Sequence, residues 1–410
     1  MKRYLPTLLA GLFLTACSKR SSTSNPSGAG SPADSATVTV IHGYGSGHYK
    51  IGDTVDIWSN AIPSDSIFDS WSGYNNLLNN AGEWHNSFIM PSSDVTLTAS
   101  YLSITPVTLK YEQIKGLNIL KNVYYHFPAN PRGIVYLLHG TGGNAKDLVN
   151  NFEWTEMIRD LSYNGFAVMI TEAEEVSLNK DLNNDGYIRW DLLPLDTLTN
   201  PDYGNFRAIT DTFCARGYIP ASAPRYSIGM SDGGAFSAAL SYLYRYSAGV
   251  SYCAPTSNIV TANSITPLQF CMAKFDNNSE VGPAGDATAQ ANSNALTGRG
   301  ICSTFFLHDH SRVYPQRFAR WNGISLDLSA SIFNELRTNH WLDGRNYLLA
   351  ASDTITAHAA SNPAAYPTIS SLNAGQLNFV GNELDIMYAA HKFFSDYDKT
   401  TIHFLQTPCH

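Results

Sequence analysis

Residues 229–233 read Gly-Met-Ser-Asp-Gly, and this stretch decides how the rest of the chain is interpreted. A Gly-x-Ser-x-Gly pentapeptide between a strand and a helix holds its serine on a sharp, exposed turn, where small flanking residues let the strand and helix pass closely. Residues 224–228 can form the strand, and the small-residue-rich stretch 234–243 can form the helix. We therefore predict that Ser231 is a nucleophile. A Gly/Ser turn without chemistry is the alternative.

A glycine-rich turn follows an apolar stretch upstream of this serine. Residues 134–138 are continuously apolar, as expected for a strand buried on both faces, and residues 139–143 read His-Gly-Thr-Gly-Gly. Such a turn leaves backbone N–H groups free to meet a developing oxyanion. We assign an oxyanion hole to the backbone N–H groups of Thr141 and Asp232, with Gly142 as a replacement for Thr141. A phosphate-binding loop is the rival interpretation, but no Gly-Lys-Ser/Thr follows.

Predicted strands and helices alternate from about residue 105. This alternation favours an α/β fold in which a mostly parallel sheet carries helices on both faces. Residues 311–384 interrupt the alternation, so we expect an insertion there, with a lid as one role. Further strands are predicted at 166–170, 248–253, 268–273 and 302–307.

The two glycine-rich motifs, in this order, make residues 105 to about 408 resemble the α/β-hydrolase family. The most similar members are secreted esterases of the feruloyl-esterase and polyhydroxybutyrate-depolymerase type. The resemblance implies a doubly wound, mostly parallel sheet over residues 105–410. It also implies hydrolysis of carboxylic esters through an acyl-serine, and a chain order of serine, acid and then histidine.

A serine hydroxyl needs a histidine to accept its proton and a carboxylate to orient that histidine. Asp276 follows the predicted strand 268–273 and is our predicted acid, with Glu280 as the next choice. His391 is our predicted base, because it precedes a last helix similar to the family's ending. His310 is the alternative, since it comes directly after the last obvious strand, although it leads into the insertion.

Residues 181–186, Asp-Leu-Asn-Asn-Asp-Gly, match the start of a calcium loop. Such a loop wants a glutamate at its twelfth position, where this chain has Leu192. Glu172, Glu174 and Glu175 lie upstream and could complete a site. We favour a solvated Asn/Asp turn and predict no cofactor and no catalytic metal, with a structural calcium ion left open.

The N-terminus predicts export. Residues 1–16 combine a basic start with a short apolar stretch, as in a secretory signal peptide. Leu-Thr-Ala-Cys at 14–17 resembles a bacterial lipobox, which implies lipidation of Cys17. A plain secretory signal with an incidental cysteine is the alternative. Residues 17–36, rich in Ser, Gly and Pro, predict a flexible tether. We expect a lipid-anchored protein of the bacterial cell envelope, with the membrane face left open.

Residues 37–101 alternate with period two between Gly/Ser/Asn turns, which predicts a small all-β module. The spacing of the motifs at 49–55, 68–73 and 88–95 resembles the divergent internalin-type B-repeat. That resemblance implies a β-grasp-like spacer or adhesion element, and we favour the spacer. We expect Trp71 and Trp84 to be core residues rather than sugar-stacking platforms.

The composition indicates which classes of binding partner are unsuited to this chain. A formal net charge of -8, 15% charged residues and the absence of basic runs argue against nucleic acid. The cysteines after position 17 allow up to two disulfides whose pairing the sequence leaves open: Cys214, Cys253, Cys271, Cys302 and Cys409.

Together these features predict a lipid-anchored serine hydrolase whose partner is an ester substrate, polysaccharide-linked or polyester. A peptidase of the same fold and a non-catalytic surface adhesion or glycan-binding lipoprotein are the alternatives.

Overall fold

The computed structural model describes residues 34–409. The predicted signal peptide and Cys17 lie outside these residues, as does most of the predicted tether. Among the described residues, no helix combines the length and the apolar composition that crossing a bilayer requires.

Residues 35–103 form two small sheets, which we call the β-module. Its strands are β1 (Ser35–Ile41), β2 (Gly43–Tyr44), β3 (Gly47–Lys50), β4 (Thr54–Ser59), β5 (Ser66–Gly73), β6 (His85–Ile89) and β7 (Val95–Ser103). One sheet has the order β3-β1-β7-β5 and the other β2-β4-β6. Strands β1 and β7 pair in parallel, and all the other pairs are antiparallel.

The β-module differs from the sequence expectation at both ends. We expected residues 35 and 36 in the tether, but they belong to β1, because Ala36 is buried in the module core and pairs with Tyr49. Strand β7 likewise continues two residues beyond the predicted end at 101. Trp71 and Trp84 are both buried in the module core, the environment we expected for them.

The remaining strands form one eight-stranded sheet. They are β8 (Lys110–Lys115), β9 (Leu120–His126), β10 (Gly133–Leu138), β11 (Phe166–Ile170), β12 (Arg225–Met230), β13 (Ala248–Tyr252), β14 (Leu268–Ala273) and β15 (Ser303–His308). The order across the sheet is β15-β14-β13-β12-β10-β11-β9-β8. All pairs from β11 to β15 are parallel, whereas β9 is antiparallel to both of its neighbours.

Helices cover both faces of this sheet. They are α1 (Ala145–Asn150), α2 (Phe152–Tyr163), α3 (Glu174–Leu178), α4 (Pro201–Ala215), α5 (Asp232–Tyr244), α6 (Asn258–Asn263), α7 (Gly282–Gly298), α8 (Leu326–Thr338), α9 (Ser352–Ser361), α10 (Ala374–Tyr388) and α11 (Asp398–Gln406). Apolar residues of α4 to α7 form a core on one face, and those of α1, α2 and α11 form a core on the other. The fold class is therefore confirmed: a doubly wound, mostly parallel α/β-hydrolase sheet preceded by a small all-β module.

The segment between β15 and α11 contains the predicted insertion at 311–384. Helices α8, α9 and α10 share an apolar core of their own, and α10 continues beyond the predicted end to Tyr388. The segment also contacts the β-module, because Tyr314 enters the module core and stacks on Trp58 with 4.1 Å between ring centroids. The insertion is thus packed between the module and the large sheet.

One disulfide is present among the described residues. Cys302, just before β15, bonds to Cys409, which ties the end of the described chain to an edge of the sheet. Cys214, Cys253 and Cys271 are free thiols. The sequence allowed a second disulfide, and the described residues do not contain it.

Candidate active site

The parallel strands bring three predicted site segments to one edge of the sheet. The carboxyl ends of parallel strands face the same way, and the crevice outside them is where ligands bind in open α/β sheets. The glycine-rich turn at 139–143 follows β10, Ser231 follows β12, and Asp276 lies three residues beyond β14. The site is therefore built from loops at one edge of a buried, rigid scaffold.

Ser231 lies on a sharp turn between β12 and α5. Its backbone has φ 59° and ψ −128°, a conformation that non-glycine residues rarely adopt. The flanking glycines allow the close approach that this turn requires: a Cβ on Gly229 would lie 1.9 Å from the Gly233 carbonyl oxygen, and one on Gly233 would lie 2.3 Å from the His139 carbonyl oxygen. The Gly-x-Ser-x-Gly pattern is thus a steric requirement of the turn.

The three predicted catalytic side chains are hydrogen-bonded in series. The Ser231 hydroxyl lies 2.8 Å from His391 Nε2, and His391 Nδ1 lies 2.6 Å from Asp276 Oδ2. With Nδ1–H donating to the buried carboxylate, Nε2 is left to accept the serine proton. The other Asp276 oxygen accepts the Asn278 backbone N–H at 2.9 Å, which fixes the carboxylate plane. The arrangement has the geometry of an activated nucleophile.

The two alternative residues lie outside this series. Glu280 forms a surface ion pair with Arg189, 3.2 Å between Oε2 and Nη1. His310 Nδ1 is 2.6 Å from Asp309 Oδ1, and its ring lies against Phe275 and Tyr347. Within residues 34–409, neither side chain is hydrogen-bonded to Ser231, so the geometry favours our first choices of acid and base.

Backbone hydrogen bonds show which N–H groups of the glycine-rich turn are available to an oxyanion, that of Thr141 or that of its alternative, Gly142. The Gly142 N–H donates to the Ile188 carbonyl at 3.0 Å, which removes Gly142 as a donor to substrate. Within residues 34–409, no group accepts a hydrogen bond from the backbone N–H of Thr141 or of Asp232. These two groups are therefore free for an oxyanion, and their role stays a prediction.

Trp190 and His139 support this loop, and sequence reasoning did not identify the role of either. Trp190 Nε1–H donates to the His139 carbonyl at 2.8 Å, and the Trp190 backbone N–H donates to Asp232 Oδ2 at 2.9 Å. The Trp190 and His139 rings stack with 4.7 Å between centroids. One tryptophan thus connects the glycine-rich turn to the residue after the nucleophile. No local sequence signal marks it, because both partners are distant in the chain.

His139 is held in one neutral tautomer. Its Nδ1–H donates to the Gly140 carbonyl at 2.7 Å, and Nε2 accepts the Ala173 backbone N–H at 3.1 Å. Burial lowers the pKa of His139 to about 4. A protonated ring would lose the acceptor that Ala173 uses, so the neutral form keeps the glycine-rich turn in place.

In the calcium-like loop at 181–186, the carboxylate oxygens accept hydrogen bonds from neighbouring residues of the chain. Asp181 accepts the backbone N–H groups of Asn184 and Gly186, and Asp185 pairs with Arg189 at 2.8 Å. Glu175 accepts the Leu182 N–H at 2.7 Å. These are the Asn/Asp turns we favoured.

The other two acidic residues have partners outside the loop. Glu172 Oε1 accepts Asn122 Nδ2–H at 2.7 Å, and Glu174 lies 3.3 Å from the buried Lys121 ammonium. The structural calcium ion stays a prediction.

A free thiol lies beside the acid and the base. One ligand atom each of Cys253, Asp276 and His391 lies within 4.8 Å of the other two, and the thiol donates to the Lys392 carbonyl at 3.3 Å. Burial raises the pKa of the Cys253 thiol, which keeps it protonated and able to donate. Its contact anchors the residue directly after His391.

No protein-family model and no curated protein sequence matches the chain. Solved structures similar to it include a highly thermostable carboxyl esterase from Bacillus coagulans, at 10% identity and TM-score 0.37 over 49% of this chain and 90% of that one. Poly(aspartic acid) hydrolase-1 from Sphingomonas sp. KT-1 follows at 16% identity and TM-score 0.35, covering 49% and 91%. The Pyrococcus furiosus esterase Pf2001 has 13% identity and TM-score 0.34, covering 49% and 82%.

Identities and scores this low carry no argument about activity. The class of the protein therefore rests on its own strand order: it has an α/β-hydrolase fold with a Ser–His–Asp series at the carboxyl edge of the sheet.

Proposed function

We propose that this chain is a serine hydrolase that cleaves carboxylic esters through an acyl-serine. The observation that carries the proposal is the 2.8 Å contact between the Ser231 hydroxyl and His391 Nε2, with Asp276 on the other ring nitrogen. A strained turn that exposes one serine to one histidine costs stability, which a purely structural loop has no reason to bear.

The geometry assigns each group a step. His391 Nε2 takes the Ser231 proton as the oxygen attacks the ester carbonyl carbon, and the carbonyl oxygen becomes an oxyanion. The free N–H groups of Thr141 and Asp232 would stabilise that charge, each donor of this kind contributing about 10²–10³-fold in rate. The tetrahedral intermediate then collapses, and His391 returns the proton to the departing alkoxide.

Water completes the cycle. His391 Nε2 deprotonates a water molecule, which attacks the acyl-serine carbonyl, and the carboxylic acid leaves as Ser231 regains its proton. Throughout, Asp276 stabilises the imidazolium and keeps Nδ1 as the protonated nitrogen.

The sequence supports the finer parts of the proposal. We propose an ester carried by a polysaccharide or a polyester, since the chain resembles secreted esterases with such substrates. The basic and apolar N-terminus and the lipobox-like residues 14–17 support export and a lipid anchor on Cys17, at the cell envelope. The resemblance of residues 37–101 to a B-repeat also fits a secreted protein.

A non-catalytic adhesion protein is the weaker candidate. In such a protein Trp71 and Trp84 could stack on sugar rings, but both indoles are buried in the module core. A peptidase of the same fold differs from an esterase only in the leaving group, so it is separated by substrate.

The test uses purified wild type and Ser231→Ala, with the exposed Ser331→Ala as a matched control. We expect Ser231→Ala to lose about 10³-fold or more of p-nitrophenyl acetate hydrolysis and all labelling by a fluorophosphonate probe, and Ser331→Ala to keep both. Equal rates and labelling in Ser231→Ala and wild type would refute the proposal. Feruloyl, acetyl-xylan, polyester and p-nitroanilide substrates then define the leaving group, and a preference for the anilide would favour the peptidase.

A further inference from the structure

The histidine of the candidate site lies on a segment without regular secondary structure. His391 falls between the end of α10 at Tyr388 and the start of α11 at Asp398. Its orientation therefore depends on contacts made by the residues that follow it, which we call the base segment (residues 392–400). Misplacing a reacting group by about 1 Å can cost about 10²-fold in rate, so these contacts bear directly on activity.

The large sheet and its helices hold the beginning of the base segment. The Phe393 ring stacks on Trp154 with 3.6 Å between centroids, and the Phe394 ring stacks on His308 at 4.4 Å. Cys253 anchors the Lys392 carbonyl, as described above. These contacts come from the hydrolase core.

The β-module holds the end of the base segment. His85 Nδ1 lies 3.3 Å from Asp396 Oδ2, and both side chains are largely buried. The Thr400 backbone N–H and hydroxyl both donate to Glu83 Oε1, at 2.9 and 2.5 Å. The module is therefore hydrogen-bonded to the base segment, which directly follows the candidate base, through largely buried polar groups.

Glu153 of α2 and Arg320 of the insertion connect the base segment to the module. The Ser395 backbone N–H donates to Glu153 Oε2 at 2.9 Å, and Arg320 Nη1 lies 2.8 Å from Glu153 Oε1. The Arg320 guanidinium lies 4.0 Å from the ring centroid of Trp84 in the module. Module, insertion and base segment thus share one buried polar network.

The surroundings of His85 and Asp396 both favour the charged form of the pair. Burial lowers the pKa of His85, but the hydrogen bond with Asp396 and the nearby Asp56 carboxylate outweigh it and raise the pKa overall. Burial likewise raises the pKa of Asp396, and His85 and Arg317 more than offset it. Removing His85 takes away the hydrogen-bond partner of the buried Asp396 carboxylate and leaves only longer-range compensation, chiefly from Arg317, so the segment would shift to solvate the carboxylate.

We propose that the β-module is part of the support of the active site, and that His85 is a positioning residue for His391 that acts through Asp396. This rests on the proposed function. It differs from the spacer role implied by the B-repeat resemblance, because a spacer would leave the rate of the chemical step unchanged.

The test compares full-length His85→Ala, His85→Gln and the control His48→Ala, an exposed histidine on the same module. Each is assayed for kcat and KM on p-nitrophenyl acetate, well below the lowest melting temperature. We expect His85→Ala to lower kcat about tenfold with KM unchanged. His85→Gln, which keeps a donor for Asp396, should recover much of the loss, and His48→Ala should match wild type.

A lower melting temperature with wild-type kcat in His85→Ala would overturn the inference, as would loss of kcat without recovery in His85→Gln. Should His85→Ala fail to fold, Thr400→Val decides, because at constant shape it removes the hydroxyl that donates to Glu83 and accepts from Asn80, both in the module. A fall in kcat supports the inference, and wild-type kcat overturns it. An inactive Ser231→Ala beside a fully active His85→Ala rejects this inference alone. A fully active Ser231→Ala rejects the proposed function and this inference together.

Discussion

The nucleophile and the base of the candidate site are positioned in different ways. Ser231 is fixed by its immediate chain neighbours, since Gly229 and Gly233 allow the turn and the adjoining strand and helix hold it. His391 depends on the residues that follow it, which are held by Cys253, by Glu153 of α2 and by His85 of the β-module. The position of Ser231, the local half of the site, depends on neighbouring residues in the chain. The position of His391, the distant half, depends on contacts with residues far away in the sequence.

Asp276 fixes the tautomer and orientation of His391, so its substitution should have a large effect. In Asp276→Asn the side-chain amide would donate to His391 Nδ1, which selects the wrong tautomer for accepting the serine proton. We expect kcat for p-nitrophenyl acetate to fall about 10³–10⁴-fold, with the fold retained.

Glu280→Gln is the matched control for this prediction. Glu280 contacts Arg189 at the surface, so its variant should keep the wild-type rate. A large loss in Glu280→Gln together with an active Asp276→Asn would move the acid to Glu280 and break the assigned series.

The pH dependence of stability tests the part of the site around Ser231, because His139 holds the adjacent glycine-rich turn. The pKa of His139 is 6.5 when unperturbed and about 4 in the folded chain, where burial favours the neutral ring. The unfolded state therefore binds more protons between these values, and the stability that the neutral ring contributes is fully present above pH 6.5 and lost as pH falls towards 4. This single group should remove about 2 kcal/mol of unfolding free energy between pH 7 and pH 5.

Urea unfolding of wild type and His139→Gln at both pH values measures this effect. Glutamine does not titrate there, so His139→Gln should lose less stability on acidification than wild type. His48→Gln, at an exposed site, should retain the wild-type difference. An unchanged pH dependence in His139→Gln would show that the ring is not held neutral by the fold.

The local half could largely be predicted from sequence. The apolar stretch 134–138 lies within β10, the strand before Ser231 is β12, and the α/β fold class is confirmed. These features are encoded by periodicity and by glycines whose spacing the turn requires. The edge strand β8 and its neighbour β9 were not predicted, because only one face of each is buried and the apolar pattern is weak.

The distant half could be predicted only as a set of candidates. The sequence left two candidate bases, His391 and His310, and two candidate acids, Asp276 and Glu280. The structure brings His391 into hydrogen-bond reach of Ser231, and Asp276 into reach of His391. The sequence contains no signal for the packing of His85 on Asp396, since contacts between residues 311 positions apart leave no local pattern. The pairing of the disulfide was open for the same reason.

The central claim is that the serine before the insertion works with the histidine after it. The most direct measurement is kcat/KM for p-nitrophenyl acetate in His391→Ala and His310→Ala, each verified as folded. We predict a loss of about 10³-fold or more in His391→Ala and a rate close to wild type in His310→Ala. Activity that survives in His391→Ala and disappears in His310→Ala would contradict the account.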